Sequence, residues 1–178
     1  MNLPTDPPSP TERLFIALAP AESLRETLCA IRDRLHNQAG GRAMPAGNLH
    51  LTLAFLGDTP TARIPELLQL LAALPRREFV WRIERAGSFK AGSPKGCIVW
   101  AGGETPAPLA ALVEDVWATL RANRFPFDSK QFRPHVTLLR DARPVDETLP
   151  PLDWQAGPPL LYRSVATPRG PRYEVITR

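Results

Sequence analysis

This chain is poor in the residues from which metal centres and covalent scaffolds are made. It contains two cysteines and three histidines. Cys29 and Cys97 stand far apart, and there is no CxxC pair, no HExxH and no carboxylate-rich loop. Neither a zinc site nor a disulfide framework is expected, and the two cysteines read as buried thiols in a reducing compartment. No metal and no cofactor is called for. No apolar run approaches the roughly 20 residues that cross a bilayer. Met1–Pro10 is proline-rich and acidic rather than basic then apolar, which is not the pattern of a secretory signal. Residues 1–12 are expected to be a disordered lead-in and 13–178 a single domain, cytoplasmic and monomeric. The net charge is small too, although charged residues are an ordinary 22% of the chain. A net +4 suits an anionic ligand such as a phosphate or an RNA end, but it is too small for a long nucleic-acid footprint.

What the chain does have is periodicity punctuated by 21 prolines. Arg13–Leu18 (RLFIAL) reads as a buried strand. Leu24, Leu28, Ile31 and Leu35 fall on one helical face, which Gly40-Gly41 stops. Thr61–Leu74 and the stripe Leu109, Leu112, Val113, Val116 and Leu120 predict two more helices. Strands are expected at 48–57, Phe79–Phe89, Cys97–Ala101, Pro134–Arg140, Leu160–Ala166 and Tyr173–Thr177. The Pro150-Pro151 and Gly157-Pro158-Pro159 stretches read as loops. The turn around Gly92 between two strands argues for antiparallel pairing.

The informative feature is a tripeptide that occurs twice. His50-Leu51-Thr52 and His135-Val136-Thr137 each lie in an alternating apolar pattern. On a strand, residues i and i+2 share a face, so each segment offers an imidazole beside a hydroxyl while the intervening residues face the core. One such tetrapeptide (His-apolar-Thr-apolar) arises by chance in roughly one chain of this size in thirty, and two independent copies in about one in a thousand. Two imidazoles on opposite sides of one phosphorus can serve as base and acid for in-line displacement. The threonine hydroxyls can hold non-bridging oxygens. His36, near a helix end, reads as a surface histidine.

RLFIAL, NLHLTLAFLG, FRPHVTLLR, and LLYRSV followed by RYEV resemble, in order, the bacterial and archaeal RNA 2′,3′-cyclic phosphodiesterase family. This family is also called the 2′-5′ RNA ligases and belongs to the two-histidine phosphoesterases. The resemblance runs from about Arg13 to the C-terminus. It implies an α+β, bilobal fold whose two pseudo-symmetric lobes line a central groove with antiparallel sheets and carry helices outside. It implies metal-independent hydrolysis of terminal 2′,3′-cyclic phosphates to 2′-phosphates, with weak reversible 2′-5′ joining, on RNA ends that include tRNA fragments. His50 and Thr52 then match the first motif and His135 and Thr137 the second, with the threonines on the phosphate. His50 is assigned as proton donor and His135 as acceptor, a choice that the sequence leaves open, and the roles exchange in reverse. Arg140 matches a phosphate-contacting arginine, although simple alternation puts it on the wrong face, so a bulge or bend is required. Phe55 and Tyr162 are candidate base-stacking aromatics for which core packing is the plainer expectation. The rival readings are a two-histidine enzyme for small cyclic nucleotides or 2′-5′ oligoadenylate, and an RNA-end-binding module without turnover.

Overall fold

A computed structural model describes residues 10–177. Most of the expected lead-in lies outside the described residues, and its last two residues, Thr11 and Glu12, already belong to the first strand. In chain order the elements are β1 (Thr11–Leu18), α1 (Glu22–Ala39), β2 (Arg42–Ala43), β3 (Leu51–Pro60) and α2 (Ile64–Ala72). They continue with β4 (Val80–Phe89), β5 (Cys97–Gly102), α3 (Ala107–Ala122), β6 (His135–Ala142), β7 (Glu147–Gln155), β8 (Leu160–Val165) and β9 (Arg172–Ile176). Short 3₁₀ turns cover Ala46–Asn48 and Thr61–Arg63.

Two antiparallel sheets result. The first has four strands in the order β3-β1-β8-β9, the second five in the order β2-β6-β5-β4-β7. The sheets are therefore not the two halves of the chain. β8 returns from the C-terminal end to pair with β1, and β9 pairs with β8. The helices exchange sides as well: α1 follows β1 but packs on β6, whereas α3 follows β5 and packs on β3. One hydrophobic cluster runs through both sheets, from Leu14, Ile16 and Leu51 to Trp81, Val136 and Trp154. Burying side chains of this size contributes about 1.5–3 kcal/mol each, which makes the two sheets one energetic unit.

β7 corrects the sequence expectation. Pro150 and Pro151 lie inside a strand, not a loop. β7 is the edge of its sheet, and its pairing to β4 shifts register between Ile83 and Arg85, opposite the two prolines. A residue without an N–H is tolerated where the ladder is already interrupted and one side faces solvent. Leu149 and Trp154, both buried, fasten the strand on either side of the two prolines. Both cysteines are free. Cys97 is buried as expected, whereas Cys29 is only half-buried. No helix among the described residues is long and apolar enough to cross a membrane.

Candidate active site

The strands that carry the repeated tripeptide touch one another: β3 is an edge of the first sheet and meets β6 of the second. His50 immediately precedes β3 and His135 opens β6. In each case the residue between His and Thr is buried, Leu51 in one strand and Val136 in the other, and the opposite faces point into a shared groove. The two imidazoles are held alike. The Nδ1–H of His50 donates to the Asn48 carbonyl at 2.7 Å, and the Nδ1–H of His135 donates to the Arg133 carbonyl, also at 2.7 Å. A carbonyl can only accept, so each bond leaves Nε2 as the unprotonated, reactive nitrogen of the neutral ring.

Beyond the tripeptides both strands carry a bulge. In β3, Ala17 pairs with Thr52 and Ile16 with Ala54, so Leu53 is the extra residue. In β6, Trp100 pairs with Thr137 and Val99 with Leu139, so Leu138 is the extra residue. Two consecutive residues are buried at each bulge, Leu53-Ala54 and Leu138-Leu139. After the bulge the alternation is reset, and Arg140 joins His135 and Thr137 on the groove face. The requirement left open by simple alternation is met. Phe55 arrives on the His50 face by the same device and is 54% exposed, so it is not a core residue. The β3 bulge is supported from behind by α3, where the Trp117 indole N–H donates to the Leu53 carbonyl at 3.0 Å. Gly41 permits the close approach of β2 to Arg140, because a Cβ there would stand 2.5 Å from the Arg140 carbonyl and its φ of +82° is left-handed.

Aromatic rings surround both histidines. Phe15 lies 4.9 Å and Tyr173 5.2 Å from the His50 ring, centroid to centroid. Tyr162 stacks on Phe15 at 5.1 Å with the planes 7° apart, and it is buried. Its ring therefore supports the floor beneath His50 and has no face free for a base, as core packing would have it. Phe89 meets His135 edge-on at 4.9 Å. His36 is remote in role, its ring donating to the Gly41 carbonyl at 3.0 Å.

The enclosure lowers both imidazole pKa values. Burial is the main cause at His50, which is pushed down to about 4, with its bond to Asn48 opposing and the charges of His135 and Arg140 adding. His135 is lowered by burial and then by Arg140, against its bond to Arg133. Both rings are accordingly neutral at pH 7 in the free protein. The Nε2 of His50 accepts a hydrogen bond from the Thr52 hydroxyl at 2.8 Å. Among the described residues no three His, Cys, Asp or Glu side chains gather as metal ligands.

Sequence reasoning missed Asn48. It is buried, its side-chain amide donates to the Pro171 carbonyl at 2.7 Å, and its Oδ1 accepts from the Tyr173 N–H at 3.0 Å. One residue thus ties the His50 anchor to the start of β9. Its partners are over 120 positions away, so no local pattern signals it.

The chain is similar to known proteins in sequence and in fold. The family profile described as LigT like Phosphoesterase matches residues 18–100. An RNA 2′,3′-cyclic phosphodiesterase from Thermus thermophilus is 32% identical over 93% of this chain and 88% of its own length. One from Escherichia coli is 31% identical over 80% of this chain and 79% of its own. The crystal structure of E. coli LigT complexed with 3′-AMP superposes with a TM-score of 0.79 at 28% identity, covering 94% of this chain and 97% of that one. The same protein complexed with phosphate gives 0.76 at 30% identity, over 95% and 96%.

Proposed function

The chain belongs to the RNA 2′,3′-cyclic phosphodiesterase family, and from that premise we propose that His50 and His135 together open the cyclic phosphate at an RNA end. The protein is a cyclic phosphodiesterase, a hydrolase. The observation that supports the assignment of residues is the doubled frame: two imidazoles, each fixed through Nδ1 by the carbonyl two residues back, present Nε2 into one groove beside Arg140.

The reaction then runs as follows. The anionic phosphate lies between the histidines, with the Arg140 guanidinium and the Thr52 and Thr137 hydroxyls on its non-bridging oxygens. A water attacks phosphorus and gives its proton to Nε2 of His135. The bond to the ribose 3′-oxygen breaks, and His50 supplies the proton that this oxygen takes up. The product carries a 2′-phosphate and a free 3′-hydroxyl. In the free protein the Thr52 hydroxyl donates to Nε2 of His50. On binding it turns to the phosphate, and the anionic charge raises the His50 pKa enough for Nε2 to hold the proton it must donate. With an RNA 5′-hydroxyl in place of water as the nucleophile, the same arrangement makes a 2′-5′ bond and releases the 3′-hydroxyl. Phe55, exposed in a cavity of about 710 Å³ that also contains Arg140, offers its ring to a base of the RNA end. Both histidines come from one chain, so a monomer suffices.

The test is a short RNA bearing a 2′,3′-cyclic phosphate, incubated with wild type, His50→Ala and His135→Ala in the presence of a strong chelator. Conversion to a 2′-phosphate by wild type alone is expected. Conversion by either variant at the wild-type rate, or loss of wild-type activity to the chelator, overturns the two-histidine mechanism.

A further inference from the structure

We propose that the face of Trp100 is a second nucleobase platform, so that the groove reads two bases of the RNA end. The proposal rests on the phosphodiesterase reading above. Trp100 lies in β5 directly opposite Thr137 of β6 and Gly87 of β4, so its indole stands on the groove side of the sheet. A Cβ at Gly87 would fall 2.5 Å from the indole, and one at Gly102 would fall 3.3 Å from it. The two glycines let the ring lie down on the sheet, and a side chain at 87 would prop it up. Trp100 is half-buried and its ring lines a cavity beside His135. Phe89, 5.3 Å from it, bridges the indole to the edge of His135 and extends the floor to the second histidine.

This floor belongs to a cavity of about 500 Å³, walled by Phe132 and Pro134 and rimmed by Glu104, Thr105 and Arg133. An aromatic floor inside a polar rim matches a nucleobase, which is apolar on its faces and polar at its edge. The cavity shares no lining residue with the one that contains Phe55 and Arg140. One flanks His135 and the other flanks His50, so a single base cannot occupy both. A terminal nucleotide and its neighbour can. The indole N–H supports a role beyond filling space. It is buried and meets no acceptor among the described residues. Phenylalanine would fill the same place without that unpaired donor, so the larger ring is kept at a cost.

The experiment compares kcat/KM for adenosine 2′,3′-cyclic phosphate with that for an adenylyl dinucleotide ending in the same group. Wild type is expected to prefer the dinucleotide. Trp100→Ala lowers that preference roughly tenfold, since stacking on one ring is of that order. Gly87→Ala, which lifts the indole without removing it, lowers the preference in the same direction, and Trp100→Phe, with a smaller ring to stack on, falls between wild type and Trp100→Ala. Equal use of the two substrates by wild type overturns the proposal. So does a Trp100→Ala variant that slows both substrates by the same factor, because the platform would then hold the terminal base. If wild type consumes neither substrate, the phosphodiesterase reading itself has failed and the platform falls with it.

Discussion

The two histidine strands are alike up to the bulge and differ immediately after it. Each offers an imidazole anchored to the carbonyl two residues back, a buried residue, a threonine, and a bulge that exposes one further side chain to the groove. In β6 that side chain is Arg140; at the equivalent place in β3 it is Phe55. The backbone device is shared, and what it delivers is divided. One strand brings a guanidinium to the groove, the other an exposed aromatic ring. The histidines diverge as well. Nε2 of His50 is already engaged by Thr52, and its ring is pushed down to about 4. No bond of this kind holds Nε2 of His135 among the described residues. A duplicated frame thus carries an asymmetric site, which is what one acid and one base require.

The sharpest way to break this comparison is to remove either imidazole. His50→Ala and His135→Ala should each lower kcat on a cyclic-phosphate RNA by about 10²–10⁴-fold, the range of a lost general acid or base. Single-turnover rates with folding checked by circular dichroism measure this, and a variant within tenfold of wild type excludes that ring from proton transfer. Next come the two residues delivered by the bulges. Arg140→Ala should cost roughly 100-fold in kcat/KM and abolish competitive inhibition by inorganic phosphate. Phe55→Ala should raise KM about tenfold and leave phosphate inhibition in place. The same pattern from both variants would erase the division of labour between the strands.

A smaller effect separates the histidines by pH. The folded protein holds His50 well below the ordinary histidine pKa of 6.5, so its stabilising contribution is complete above that value. As pH falls from 6.5 toward 4, the unfolded chain takes up a proton that the folded one refuses, and stability drops by up to about 3 kcal/mol. Urea midpoints across this range should show the loss, and His50→Gln should flatten it. Bound inorganic phosphate should move the His50 imidazole resonance in NMR titrations to a higher midpoint. A ring that stays near 4 in the complex would reassign the acid to His135. The smallest expected change is at Asn48. Asn48→Ala removes two hydrogen bonds that hold the His50 side only, and should cost about 1–3 kcal/mol in denaturant unfolding. The phosphate affinity contributed by Arg140 should survive it.

Local pattern made much of this legible. Alternation in LHLTL and HVTLL identified both strands and the face of each histidine, because the period of two belongs to the backbone. Helical spacing located α1 and α3 to within a few residues. The adjacent apolar pairs Leu53-Ala54 and Leu138-Leu139 are the written trace of the bulges. Alone they are ambiguous, since a break in alternation also marks the end of a strand. The prolines of β7 misled because proline's effect depends on whether its strand is central or an edge, and pairing partners decide that.

By itself the sequence singled out the residues proposed to carry the chemistry: two His-x-Thr segments and an arginine after the second, with apolar stripes able to bury the rest. Only the tertiary structure decided that the two segments meet. The seam between β3 and β6 exists because the C-terminal strands return to the first sheet and the helices cross over to seal one common core. The β1–β8 pairing joins residues as distant as Leu14 and Arg163, and Trp117 of α3 meets Leu53 of β3 across 64 positions, so no window of local sequence can express them. The same holds for Asn48, whose partners lie in β9 and the turn before it, and for Gly87 and Gly102, whose missing side chains matter only because Trp100 lies across them.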